Sequence, residues 1–235
     1  MIRLAVLDMA GTTVNDDGAV ERAFLEAVSR GEAGSLGDAV SRGQVASAGD
    51  VDARALEYVR ATMGQPKIVV FRALFEGDED AAQAANRRFE RAFNAAVGRG
   101  EIRPIAGAET ALADLRAAGV QVCLTTGFSA STRDRIIDAL GWRASIDLAL
   151  SPADAGRGRP YPDMILSALL RLGVDDVRDV AVTGDTTSDL VAGTRAGAAV
   201  VVGVLTGAHT RAELERAPHT HIIDSVGDLP AILSV

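Results

Sequence analysis

The chain has 235 residues, 48% of them hydrophobic, with 24 lysines and arginines against 32 acidic residues and a formal net charge of −8. That length supports a sizeable core in one large or two small domains, and the negative balance argues against nucleic acid or an anionic membrane surface as the main partner. No apolar run approaches the ~20 residues of a transmembrane helix, the N-terminus lacks a basic-then-apolar leader pattern, and the single cysteine, Cys123, excludes a disulfide framework and fits a reduced cytoplasm.

In chain order, the first apolar run, 2–7, reads as a buried strand that ends in Asp8 and a Gly11-Thr12-Thr13 turn. The stretch 15–100 is helix-rich, with an apolar period near 3.6 in AVERAFLEAVSR, DVDARALEYVRATM and DEDAAQAANRRFERAFNAAV. GEAGSLGD at 31–38 reads as a loop or weak helix break, and KIVVF has the β-branched content of a strand. Beyond it, strands are predicted at 120–125, 147–150, 179–183 and 199–204, separated by amphipathic segments at 107–118, 130–140, 162–172 and 188–196. Strand and helix alternating this way give an α/β doubly wound parallel sheet, formed by residues 1–14 and 101–235, with a helical insertion at 15–100 after the first strand. Turn residues follow each main strand, and ligands of open parallel sheets bind at those carboxyl ends.

Four strand ends carry candidate chemistry. Asp8 can attack phosphorus as a nucleophile or cap a following helix. In VTGDTTSDL, Asp185 and Asp189 can hold Mg²⁺ through oxygen; alternatively Asp185 or Ser188 merely starts the next helix. Thr126 and Gly127 offer a hydroxyl and backbone N–H groups to a phosphoryl oxygen. In AGRGRPYPDM, Arg157 and Arg159 precede a rigid Pro-x-Pro element, and a guanidinium there can neutralise phosphate. The three histidines, His209, His219 and His221, fall late in the chain, so a histidine triad or multi-histidine metal site is not expected.

DMAGT, TTG, RPYPDM and GDTTSD, in this order, resemble the haloacid dehalogenase superfamily of phosphoryl-transfer enzymes. The resemblance implies a Rossmann-like core, a helical cap domain, and a nucleophile at Asp8. It implies Mg²⁺ held by Asp8, Asp185 and the backbone carbonyl of Ala10, with Asp189 in support. Thr126 would bind phosphate with Arg159 in place of the superfamily's usual lysine, and Thr12, Gly127, Met63 and Arg72 would contact substrate. Most of these enzymes carry a second aspartate two residues after the first, to protonate a departing oxygen. Ala10 stands there instead, and a carbon leaving group stabilised as an enamine needs no such acid.

Residues 61–75, ATMGQPKIVVFRALF, resemble the cap of the phosphonoacetaldehyde hydrolase subfamily, whose cap lysine forms a Schiff base with the substrate aldehyde. Lys67 falls at that position, and it is the one lysine among 24 basic residues. Arginine cannot form an imine, because its guanidinium stays protonated. Gly64 reads as a helix stop and Pro66 as the first residue of the next helix. Lys67 would then sit in a first turn, where the dipole disfavours an ammonium, with Ile68, Val69, Val70 and Phe71 packed around it. The chain departs from the subfamily at Val69 and Val70, where Asp-His is usual, and at Phe128, where tyrosine is usual.

The expectation is a cytoplasmic, Mg²⁺-dependent hydrolase that cleaves the C–P bond of a small 2-oxo-phosphonate. The alternatives are a phosphate-ester phosphatase of the phosphoglycolate-phosphatase type and a weakly catalytic binding protein that keeps the fold. Tyr58, Phe89 and Phe93 fit either the core of the cap or a homodimer interface through it.

Overall fold

The computed structural model describes residues 1–29, 57–60 and 62–234. In chain order the elements are β1 (Leu4–Asp8), β2 (Val14–Asn15), α1 (Ala19–Ser29), α2 (Lys67–Leu74), α3 (Glu79–Gly98), β3 (Arg103–Pro104), α4 (Ala108–Ala117), β4 (Gln121–Thr125) and α5 (Ala130–Leu140). They continue with β5 (Leu148–Leu150), α6 (Pro152–Ala155), α7 (Asp163–Arg171), β6 (Val180–Gly184), α8 (Thr187–Ala196), β7 (Val200–Val204), α9 (Arg211–Leu214), β8 (His221–Ile223) and α10 (Leu229–Leu233). Two compact units result: Met1–Asp16, Gly64–Pro66 and Ile102–Val235 form the first, and Asp17–Met63 with Lys67–Glu101 form the second.

The first unit is built on a six-stranded sheet in the order β5-β4-β1-β6-β7-β8, parallel at every pairing. Helices flank it, as in a Rossmann-like α/β fold. β1 and β6 are central strands, buried along their whole length, which is why both read as unbroken apolar runs. Leu4 and Val6 of β1 and Val180 and Val182 of β6 pack with Met164, Ile165 and Ala168 of α7 on one face. Each fully buried aliphatic side chain of this kind contributes about 1.5–3 kcal/mol. Leu190 of α8 joins Val201 and Leu214 in a second cluster. A small antiparallel ribbon, β2 with β3, ties Asn15 to Arg103 and keeps Asn15 and Asp16 with the sheet, two residues beyond the predicted boundary.

All five predicted strands are present, each within two residues of its predicted bounds. β8 was not predicted: three residues at a sheet edge are too few for a periodicity to emerge. α5 spans its predicted range of 130–140, and Gly141 closes it in the left-handed conformation.

The second unit is helical. KIVVF lies in α2, not in a strand, because Val70 and Phe71 face a core shared with α1 and α3 and their packing overrides β propensity. Phe71 stacks on Phe24 with centroids 4.9 Å apart, meets Phe89 edge-on at 6.1 Å, and Phe89 stacks on Phe93 at 5.9 Å. Phe89 and Phe93 are thus interior residues with no surface to offer a homodimer, whereas Tyr58 is 37% exposed. Asp78 caps α3 by accepting the Ala81 N–H at 3.0 Å. The predicted loop at 31–38 and most of the predicted helix at 50–63 lie outside the described residues. Among the described residues no helix is long and apolar enough to cross a membrane.

Candidate active site

β1 delivers Asp8 to the carboxyl end of the sheet, in register with Thr125 of β4. The chain runs from β1 to β4 and β5 on one side, then crosses back to β6, β7 and β8 on the other. Asp8 therefore ends its strand at a topological switch point, where open parallel sheets bind ligands. No helix follows for Asp8 to cap. The Met9 carbonyl accepts the N–H groups of Thr13 and Val14 at 2.9 and 2.8 Å, and the Thr13 hydroxyl donates to the Asp8 carbonyl at 2.9 Å, which closes a tight turn.

Asp185 leaves the end of β6 next door. Thr12 donates its hydroxyl to Asp185 at 3.3 Å, and the Ala208 N–H donates at 2.7 Å. Two glycines make room for it. A Cβ on Gly11, whose φ is +83°, would fall 2.4 Å from the Asp185 carboxylate, and one on Gly207 would fall 2.0 Å from it.

Asp189 stands in the first turn of α8. Thr186, and neither Asp185 nor Ser188, caps this helix, and Asp189 completes a capping box by accepting the Thr186 N–H at 3.0 Å. Capping and site membership are compatible here, because a carboxylate has more lone pairs than the cap uses.

Arg159 joins the carboxylates. Its Nη1 donates to Asp8 Oδ1 at 2.6 Å and also to Asp189 Oδ1. All four side chains are buried, and carboxylate oxygens of Asp8, Asp185 and Asp189 lie within 4.8 Å of one another. Burial raises the Asp8 pKa well above the carboxylate range; Arg159 opposes this, while Asp189 and Asp185 add to it. Burial and then Asp189 push Asp185 up to about 6, against the Ala208 N–H. Burial works against the Arg159 charge, but Asp189 and Asp8 outweigh it and raise its pKa.

Residues 2–197 match the haloacid dehalogenase-like hydrolase family. The chain belongs to that family. It is 28% identical over 231 residues to the probable phosphatase IndB of Dickeya dadantii, covering 96% of this chain and 91% of that one. It is 32% identical over 158 residues to the phosphonoacetaldehyde hydrolase of Bacillus cereus, covering 65% of this chain and 58% of that enzyme, less than two thirds of either. Among solved structures, a phosphonoacetaldehyde hydrolase-like protein from Oleispira antarctica superposes with a TM-score of 0.78 at 22% identity, over 99% of this chain and 91% of that one.

The donor set of this haloacid dehalogenase-like hydrolase suits a hard divalent cation. Three carboxylates and one guanidinium leave two negative charges buried together, and every donor is oxygen. Mg²⁺ fits both features.

The other expected site residues divide between the units. Thr126 follows β4; its hydroxyl accepts the Phe128 N–H at 3.2 Å, and its own N–H donates to the Leu150 carbonyl at 3.1 Å. The segment Gly64–Pro66 clusters with the first unit, and a Cβ on Gly127 would lie 2.7 Å from the Gln65 carbonyl oxygen. Lys67, Met63 and Arg72 belong to the second unit. Lys67 opens α2 with 8% exposure, and its Nζ lies 3.8 Å from the Met63 sulfur. Val69, expected to help enclose the lysine, is 45% exposed instead, because it falls on the face of α2 opposite the aromatic core. Arg72 is exposed and forks onto Glu79, with both bonds at 2.7 Å.

Sequence reasoning missed the loop after β7. Thr206 donates to the Gly11 carbonyl at 2.7 Å, Gly207 and Ala208 enclose Asp185, and His209 Nδ1 accepts the Thr187 N–H at 3.0 Å. The small residues Thr206, Gly207 and Ala208 were the available signal, but only the fold brings them beside Asp185.

Proposed function

We propose that this protein hydrolyses the C–P bond of a small 2-oxo-phosphonate, phosphonoacetaldehyde or a close relative. The observation that carries the reading is Lys67. The chain's one lysine is buried, and it directly follows Gly64–Pro66, the segment that clusters with the Asp8 unit. Ala10 supports it, since no carboxyl stands there to protonate an oxygen leaving group.

In this reading the Lys67 amine condenses with the substrate carbonyl and releases water, giving an iminium. Asp8 attacks phosphorus, the C–P bond breaks, and its electron pair passes to the iminium as an enamine. Water hydrolyses the aspartyl-phosphate to inorganic phosphate. The enamine is protonated on carbon, and hydrolysis of the resulting imine releases the carbonyl product and Lys67. Arg159 holds Asp8 in place and offsets its charge, while Thr126 and Gly127 bind the phosphoryl oxygens. Asp8, Asp185 and Asp189, with the Ala10 carbonyl, would hold Mg²⁺, which supplies positive charge against the phosphoryl oxygens. The helical unit serves as the cap, and a cytoplasmic setting keeps Cys123 reduced.

A second reading, a phosphatase acting on phosphate esters, draws on the probable phosphatase IndB, the relative that aligns over 96% of this chain. Val69, Val70 and Phe128 also stand where the phosphonoacetaldehyde hydrolases usually have polar groups. Phosphate release from phosphonoacetaldehyde and from a panel of phosphate esters, at matched concentrations with Mg²⁺, separates the two. The C–P reading expects the phosphonate to be preferred by orders of magnitude. Efficient ester turnover with an inert phosphonate rejects it.

A further inference from the structure

The loop after β7 reaches all three segments that carry oxygens of the proposed cation site. Thr206 donates its hydroxyl to the Gly11 carbonyl at 2.7 Å, in the turn that follows Asp8 and bears the Ala10 carbonyl. The Ala208 N–H donates to Asp185 Oδ2 at 2.7 Å, and the His209 N–H donates to the Asp185 backbone carbonyl at 3.3 Å. His209 Nδ1 accepts the Thr187 N–H at 3.0 Å, in the first turn of α8, two residues before Asp189. Within four consecutive residues the loop is bonded to the β1 turn, to the end of β6 and to the start of α8.

These bonds set distances more than they add stability. Thr206 is exposed, so water could satisfy both its hydroxyl and the Gly11 carbonyl, and a bond made in competition with water contributes little net free energy. The first N–H groups of a helix lack partners within it. In α8 the capping box joins Thr186 and Asp189, and the Thr187 N–H is met by a side chain 22 residues further on. Gly207 lets the loop lie directly against Asp185, since a Cβ there would fall 2.0 Å from the carboxylate. Both carboxylate oxygens are held, Oδ1 by Thr12 and Oδ2 by the Ala208 N–H, which fixes the plane of the group and leaves further lone pairs for a cation. The ends of the loop are fixed in turn. The Leu205 N–H donates to the Ile223 carbonyl at 3.2 Å, and Thr210 opens α9 with a capping box to Glu213.

We propose that residues 206–209 are a template for the cation site, with Thr206 and His209 as its positioning residues. Thr206 sets the turn that bears the Ala10 carbonyl against Asp185. His209 sets the start of α8, and with it Asp189, against the same carboxylate. Both act through the segments that bear the ligand oxygens. Mg²⁺ demands near-ideal octahedral geometry, so its affinity reads that spacing. The proposal rests on the cation site formed by Asp8, Asp185 and Asp189 and is independent of the role of Lys67.

Calorimetric titration of the substrate-free protein with Mg²⁺, paired with thermal melts in chelator, tests it without any turnover. Thr206→Val and His209→Ala should each weaken Mg²⁺ binding about three- to tenfold. The Tm of each in chelator should stay within about 2 °C of wild type. Thr206→Ser keeps the hydroxyl, and His209→Asn puts Oδ1 one bond from Cγ, where Nδ1 stands; both should bind Mg²⁺ within about twofold of wild type. A Tm lowered in chelator with Mg²⁺ affinity unchanged shows a loop that only supports the fold and overturns the proposal, as does a loss of affinity that Thr206→Ser and His209→Asn share. If Thr206→Val or His209→Ala fails to fold, the other variant and its conservative counterpart decide. A wild-type protein that binds no Mg²⁺ removes the cation site and the template with it, whereas wild-type binding that the variants leave unchanged removes only the template.

Discussion

Removing divalent metal should make the stability of this protein fall as pH rises through the range of Asp185. Its folded-state pKa is raised from 3.8 to about 6, mainly by burial and then by Asp189. The native state therefore binds a proton more readily than the unfolded chain between those values, so stability falls with rising pH there. The full effect is about 3 kcal/mol, from roughly 2.2 units at 1.36 kcal/mol each. It is absent below about pH 3 and complete above about pH 7, and about half of it falls between pH 5 and 7.5. For a chain of this size that is a Tm lower by roughly 3–6 °C at the higher pH. Asp8 shifts in the same direction and adds to the trend. Carboxylates stabilised by surface arginines, such as Asp163, have lowered pKa values and act at more acidic pH, outside this window. Thermal melts in chelator at pH 5 and 7.5 would measure the effect. Asp185→Asn should reduce the slope, and Mg²⁺ should raise the Tm more at pH 7.5, where the carboxylates are ionised. A pH-independent Tm in chelator, or a slope unchanged by Asp185→Asn, would refute the reasoning.

Gly207→Ala should weaken Mg²⁺ binding by about tenfold or more in calorimetry, because the new methyl group would fall 2.0 Å from the Asp185 carboxylate; unchanged affinity would show that the loop yields without moving Asp185. Phe71→Ala should cost about 3–5 kcal/mol in urea unfolding of the helical unit, since Phe71 is fully buried between Phe24 and Phe89; a loss under about 1 kcal/mol would contradict the aromatic core described. Asp8→Asn should abolish phosphate release while the protein still melts cooperatively, and near-normal release by that variant would exclude an aspartyl-phosphate.

Much of the site was legible because strand ends are punctuated in the sequence. Asp8, Thr126 and Asp185 each follow an apolar run, and a parallel sheet places such residues along one edge. The pairing of Arg159 with both Asp8 and Asp189 was less legible: its loop is separated from Asp8 by 151 residues, and only the fold joins them. The loop around Gly207 was invisible for a related reason, since a glycine needed for close approach looks like any other turn glycine. α2 carried two signals, Gly64 and Pro66 marking a helix start and β-branched content suiting a strand; the helix is what forms, and its buried face emerges only from the packing of Val70 and Phe71. Phe89 and Phe93 had a spacing that served core and interface equally, and burial assigns them to the core.

The central claim is an imine on Lys67, and borohydride trapping tests it most directly. The native enzyme would be reduced in the presence of phosphonoacetaldehyde and digested, and the modified peptide mapped by mass spectrometry. With one lysine in the chain, the predicted adduct has a single side-chain address, Lys67, and its formation should coincide with loss of activity. Phosphate release from that substrate with no adduct on Lys67 would contradict the account.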